Sequence, residues 1–418
     1  MLLVTFSRMI RSNLKYSIIE GSFYALMFGL GENYISAMGV FLGYSALQIS
    51  ILNSFPQFIG AFAQLITNSL TKLFKSMKRF VVILSLLQAF LWIVLIYIIN
   101  NTDSYLVILL WAVIYYTITS VMGPAWISWI GYLVPLKLRP NYHANRNKII
   151  NSMIFISIFF GGLILRLYKE DMILGFSIMF AIGAIGRIFS SYFLNKKNDA
   201  GKVEDGDNYR YKDILKNHAK LLFIAYNTSI HFSVMFLGPL FTIYILRTMN
   251  LSYLILTLCM VAWWLGNVFS SKYWGRLAKR KGNLYLLKMT TIIMCVLPVF
   301  WISVYYFDYE GRVIVSLLIN LLAGFTFSGF GLSSFNILYE ISGNQEVIKF
   351  SSLVNCLKGI AVFTGSIIAG SIVDSSYIIN ALLDYNFTSI QFSMVISIVL
   401  RCISYKVLTK LDLNNNPA

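Results

Sequence analysis

The sequence predicts an all-α integral membrane protein with twelve transmembrane helices in two six-helix bundles. Three observations carry that expectation. Mean hydropathy is +0.71, and 58% of the 418 residues are hydrophobic while only 12% are charged; soluble domains carry about 25% charged residues. Apolar stretches of roughly the twenty residues that cross a bilayer recur along the whole chain. Basic residues cluster in the short segments between them. The longest polar stretch, Asn195–Lys220, is too short to bury a core of its own.

The spans follow in order. Tyr16–Gly39 comes first and carries three polar groups, Glu20, Glu32 and Asn33. Gln48–Leu70 holds Pro56, and Phe80–Ile99 is almost wholly aliphatic and aromatic. Tyr105–Leu133 contains Pro124, Trp126 and Trp129; Ile149–Leu167 and Met172–Leu194 complete the first set, the latter with Arg187 inside it. The second set opens with Leu221–Leu246, which holds Asn227, Ser229, His231 and Pro239. Leu251–Ser271 carries Trp263 and Trp264, and Leu284–Tyr306 carries Pro298. Val313–Tyr339, Phe350–Val373 with Asn355 and Lys358, and Ser389–Leu408 finish the count. The predicted organisation is therefore a bundle over residues 1–194, a linker over 195–220 and a bundle over 221–418. Each proline frees a backbone carbonyl and permits a bend.

Charge sets the topology. On the side of the N-terminus lie 27 of the 34 Lys and Arg residues, counting the linker and the last helix end. The opposite loops hold Arg166, Lys169, Arg247 and Arg312, with acids at Asp103, Glu170, Asp171, Asp308, Glu310 and Asp384. The positive-inside rule then places both termini and the linker in the cytoplasm; the cell membrane is the expected location, with an organelle membrane as the alternative. The same clustering explains the net charge of +17 without nucleic acid. No small-residue cleavage site follows Arg8, Arg11 and Lys15, so the first helix is expected to be retained rather than removed as a signal. Cys259, Cys295, Cys356 and Cys402 all fall in apolar spans without Cys-x-x-Cys spacing and read as buried free thiols, neither disulfides nor metal ligands.

The halves also look related. An offset of 208 residues pairs Gly123 with Gly331, Asn147 with Asn355 and Gly162 with Gly370. Between spans eight and nine, Lys272–Asn283 reads KYWGRLAKRKGN. It is similar to the Gly-x-x-x-Asp-x-x-Gly-Arg loop of the major facilitator superfamily through Gly275, Arg276, Arg280 and Gly282. Lys279 stands where that family has an acid, and the first-half copy, Asn68–Arg79, keeps only the basic residues. Gly123–Asn147, with Arg139, Arg146 and Asn147, and Gly329–Glu346, with Glu340, resemble further family segments. The resemblance covers nearly the whole chain. It implies two pseudo-symmetric six-helix bundles around a central cavity, lined by spans one, four, seven and ten, in a transporter that works as a monomer.

Several intramembrane polar groups carry possible chemistry. Glu32 lies some seventeen residues into the first span, near the midplane or beyond it. Buried there, its carboxyl suits either proton exchange or contact with a cationic substrate; the alternative is an ion pair with Lys or Arg that supports packing. Asn33 lies about 100° round the helix from it and suits an interhelical hydrogen bond. Glu20, a turn from the cytoplasmic end, reads as paired with a basic loop residue. His231 suits either a proton relay or a packing role. Lys358, one turn after Asn355, suits an anionic substrate, neutralisation of Glu32 or snorkelling to the surface. Arg187, on a peripheral span by resemblance, reads as a snorkel or a structural pair.

No Gly-x-x-x-x-Gly-Lys-[Ser/Thr] loop, His-Glu-x-x-His or Gly-x-Ser-x-Gly motif and no Thr-Val-Gly-Tyr-Gly filter occurs. An ATP-driven pump, a hydrolase and a potassium channel are disfavoured accordingly, and no enzyme and no cofactor are expected. The expectation is a secondary transporter working by alternating access, with a small-molecule substrate, protons as coupling ion and lipid around it. Efflux of amphipathic or cationic compounds is preferred. Uptake of an organic anion or nutrient, and a receptor-like protein without transport, are the alternatives.

Overall fold

The computed structural model describes residues 2–135, 139–200, 217–383 and 385–411. Lys137, Asp384 and positions 201–216 of the predicted linker lie outside the described residues, as do the side chains of Arg8, Arg139 and Lys349. All regular structure among the described residues is helical. In chain order the helices are α1 (Leu2–Leu30), α2 (Ile35–Phe41), α3 (Ala46–Ala63), α4 (Thr67–Leu73), α5 (Met77–Asn101), α6 (Tyr105–Leu133), α7 (Arg139–Leu167) and α8 (Met172–Lys196). They continue as α9 (His218–Met235), α10 (Leu240–Ile243), α11 (Tyr253–Lys281), α12 (Asn283–Val304), α13 (Tyr309–Asp374), α14 (Ser376–Leu383) and α15 (Ser389–Thr409).

Ten described helical segments are long and apolar enough to cross a membrane. The first two predicted spans are broken helices: α1 and α2 flank a 3-10 turn at Glu32–Tyr34, and α3 and α4 flank another at Gln64–Ile66. With these two, the twelve predicted spans are accounted for in a multi-pass membrane protein. The helices begin where side chains satisfy the free amides of a first turn. Ser76 accepts from the Arg79 amide, Asp171 from Leu174 and Asp308 from Gly311. Thr388 and Gln391 form a reciprocal capping box at α15. One predicted break is not seen. Between spans ten and eleven the backbone stays helical, so α13 carries both apolar spans, Tyr309–Ile341 and Leu353–Asp374. The connecting sequence contains no proline and several good helix formers, which leaves nothing local to stop the helix.

Packing divides the chain into two compact units. Met1–Leu42 and Phe55–Gly206 form the first, and Gly43–Ser54 and Asp207–Ala418 form the second. In the first, α1 packs on α7 and α8, and α5 on α6 and α8. One part of its core gathers Met77, Phe80, Trp129 and Leu194. In the second, α13 packs on α11, α12 and α9, and α15 packs on α9 and α12. Glycine permits the closest of these approaches. A Cβ at Gly324 would stand 1.8 Å from the Trp263 carbonyl oxygen, so α11 and α13 meet backbone to backbone. The four cysteines are free, as expected, but only Cys259 is fully buried; Cys402 is exposed on the face of α15.

Candidate functional site

The first membrane helix breaks beside Glu32. α1 stops at Leu30, and Gly31 adopts φ −105°, ψ −81°, outside the helical region. A side chain at Gly31 would sit 2.5 Å from the indole of the buried Trp92, so only glycine lets α1 meet α5 here. Glu32–Tyr34 then forms a single 3-10 turn before α2 continues. Asn33 Nδ2 donates to the Phe28 carbonyl at 2.9 Å. In an unbroken helix that carbonyl would pair with the Glu32 amide. Asn33 thus bonds locally, and not to another helix as its position in a continuous span suggested. Tyr34 Oη donates to the Ile158 carbonyl at 2.6 Å and ties the turn to α7.

Glu32 is partly exposed, and its Oε1 accepts from Tyr115 Oη at 2.7 Å. Trp92, Trp111 and Tyr115 form an aromatic cluster behind it, with ring centroids 5.2–5.3 Å apart. Ion pairs join Glu20 to Arg146 and Lys197, and Lys169 to Glu170, while Glu32 makes none among the described residues. Its carboxylate therefore bonds to a phenol and makes no ion pair, with Arg187 within electrostatic range.

The second unit repeats the break. α9 ends at Met235, and the chain turns through Phe236–Pro239 before α10 and a π-helical turn at Tyr244–Thr248. The 208-residue offset carries Gly31 onto Pro239. His231 lies one turn before this break. Its Nδ1 is 2.8 Å from the Asn227 carbonyl oxygen, and its ring stands 5.7 Å from that of Phe330. Asn227 Nδ2 donates to Ser334 Oγ at 3.0 Å. Lys358 lies within electrostatic range of His231. It is partly exposed and makes no ion pair among the described residues, while Asn355 is exposed.

A second polar constellation sits in the first unit. Glu20 is paired as its position predicts: Arg146 Nη2 lies 3.2 Å and Lys197 Nζ 3.4 Å from its Oε1. Arg146 also covers the Trp126 ring at 4.5 Å, and Lys197 covers Trp129 at 4.5 Å. Lys197 was expected in the linker, yet it is 1% exposed. Arg187 does not snorkel; it takes the structural pairing that was the other reading. It is 2% exposed, donating through Nε and Nη2 to Gln88 Oε1 at 2.9 and 2.6 Å and through Nη1 to Ser190 Oγ at 3.0 Å. Glu20, Tyr24, Trp126, Arg146, Asn147 and Arg187 line a cavity of about 310 Å³. Sequence reasoning missed Arg187 as a cavity residue. The available signal was Gln88, a lone amide in a largely apolar span.

The motif loop caps α11. Gly282 adopts φ +84°, a region that favours glycine, and its amide donates to the Ala278 carbonyl. Gly275 faces open space, and Arg276 Nε donates only to the nearby Lys272 carbonyl. Arg276 and Arg280 line a shallow surface pocket with Tyr273 and Leu277, and Lys279 makes no ion pair among the described residues. Glu340 accepts from Asn283 Nδ2, and Asn283 Oδ1 accepts from Asn336 Nδ2 at 3.0 Å. α12 is thereby tied to α13 just past the loop. Arg139 opens α7.

No protein-family model and no curated protein matches the sequence. Solved structures do match. A nucleoside transporter, NupG (D323A mutant), is 12% identical with a TM-score of 0.73, covering 96% of this chain and 100% of its own. A D-xylose-proton symporter is 14% identical with a TM-score of 0.71, covering 96% and 98%. A bacterial homologue of the iron transporter ferroportin, in an inward-facing state, is 13% identical with a TM-score of 0.69, covering 97% and 98%. At these identities the likeness is one of fold. The chain has the helical membrane fold of the major facilitator transporters over nearly its full length, as its motifs implied.

Proposed function

We propose that this chain is a proton-coupled secondary transporter of a small solute, working as a monomer by alternating access in the cell membrane with both termini cytoplasmic. The observation that carries the reading is Glu32, set in a break of the first membrane helix and bonded to Tyr115 rather than to a cation. Paired breaks at corresponding positions of two repeats are a mark of transport sites, because unwound backbone is tolerated at membrane depth only where it lines a cavity or is buried in protein. A carboxyl held by a hydrogen bond to a phenol gains and loses a proton without breaking an ion pair. Glu32 is assigned the coupling role, with Tyr115 orienting it. His231, Asn355 and Lys358 are assigned to the substrate or to a relay. Gly275, Arg276, Lys279, Arg280, Gly282, Arg139, Arg146, Asn147 and Glu340 are assigned to cytoplasmic gating.

The sequence preference was efflux of amphipathic or cationic compounds. Lys358 supports the second reading, an organic anion, because it makes no ion pair among the described residues of its unit. The test is solute-stimulated proton flux in proteoliposomes under an imposed pH gradient, with pooled cationic and anionic solutes. Flux in the wild type that Glu32→Gln abolishes is the expected result. Flux that survives this substitution overturns the assignment of Glu32. Absence of flux with every pool favours the receptor-like alternative.

A further inference from the structure

We infer that the interior of the second unit holds a binding site for a small aromatic monocarboxylate, anchored by Arg401. Arg401 projects from α15 into the bundle and is 3% exposed. Its Nη1 donates to the Met294 carbonyl, while Nε is buried with no partner among the described residues. Arg401 takes part in none of the described ion pairs. The positive-inside count treats Arg401 as a cytoplasmic charge; the structure buries it.

The guanidinium borders a cavity of about 300 Å³. Gly238 at the helix break, Trp263, Trp301, Asn320 and Phe327 share its wall with Arg401. The lining is apolar and aromatic at every side but two. With Nη1 used and Nε buried, the guanidinium still brings its positive charge and its remaining Nη2 donor to a carboxylate in the cavity. The indoles and the Phe327 ring suit an aromatic body attached to that carboxylate. The volume is at the small end of ligand pockets and fits a single ring with a short acid side chain.

The matching arginine of the first unit makes the point by contrast. Arg187 has Gln88 and Ser190 as partners, and its cavity contains Glu20. There the protein itself supplies what a ligand would. Around Arg401 no described carboxylate does so, and the amide that shares its cavity, Asn320, donates to the Ser316 carbonyl instead; an intramembrane charge is costly unless something answers it. The inference stands apart from the transport reading, because binding at this site needs no gradient and no movement.

Calorimetric titration of the full chain in detergent tests it, with phenylacetate, its neutral amide phenylacetamide, and inorganic phosphate as probes. Saturable binding of phenylacetate, roughly ten-fold or more tighter than the amide, is expected, because only the acid answers the charge. Arg401→Gln should remove that preference, and Trp263→Ala should weaken both organic probes. Equal affinity for acid and amide, phosphate binding as tight as phenylacetate, or no binding of phenylacetate overturns the proposal. So does a preference that survives in Arg401→Gln. If that variant does not fold, the acid-to-amide ratio of the wild type decides alone.

Discussion

Each unit buries an arginine from its last long helix beside a cavity of about 300 Å³, yet the two neutralise charge in opposite ways. In the first, Glu20 sits between Arg146 and Lys197, and Arg187 holds Gln88 and Ser190. In the second, Arg401 holds one carbonyl oxygen and Lys358 makes no ion pair among the described residues. The scaffold repeats down to the matched breaks at Gly31 and Pro239, but the chemistry does not. A buried charge costs several kcal/mol unless hydrogen bonds and a counter-charge answer it. The first unit answers from within, and the second leaves the answer to something that binds.

That contrast can be broken by substitution. The largest effect is expected at Glu20→Ala, which strands Arg146 and Lys197. A loss of about 3–5 kcal/mol is expected, read as a fall in the unfolding midpoint in detergent. A variant as stable as wild type would mean that the pairs contribute nothing. Next is a paired comparison. Arg187→Met should destabilise, because the Gln88 Oε1 and the Ser190 hydroxyl lose their donor, whereas Arg401→Met should be neutral or stabilising by up to about 4 kcal/mol. The same sign for both would erase the distinction between the units. Gly324→Ala, whose new methyl would meet the Trp263 carbonyl oxygen at 1.8 Å, should cost about 1–3 kcal/mol. The smallest effect is expected at Asp374→Ala. Its carboxylate accepts from the Ala46 and Leu47 amides at 3.1 and 2.8 Å and so caps α3 within the second unit. Loss of that cap should cost about 1 kcal/mol, and unchanged thermal unfolding would mean that the cap is idle.

The sequence made the fold class, the spans and the pairing of Glu20 legible, because each depends on local hydropathy and charge. It hid what long-range packing decides. Gly31 reads as one more glycine in an apolar run until Trp92 arrives from α5 to exclude a side chain. Asn33 reads as an interhelical donor until the break frees the Phe28 carbonyl. Arg146, Lys197 and Arg401 fit the cytoplasmic charge pattern so well that counting them there concealed their burial. The helical backbone between spans ten and eleven was hidden for the opposite reason, since polar residues there look like a loop while having good helix propensity.

The central claim is that Glu32 exchanges a proton without breaking an ion pair. Infrared difference spectroscopy of the protein in lipid tests it directly, by following the C=O stretch of protonated carboxyls as bulk pH is cycled between acid and alkali. The account predicts a reversible carboxyl band in the wild type that is missing in Glu32→Gln and shifted in Tyr115→Phe, since Tyr115 donates the hydrogen bond at 2.7 Å. A band unchanged in Glu32→Gln would contradict it and move the coupling site elsewhere.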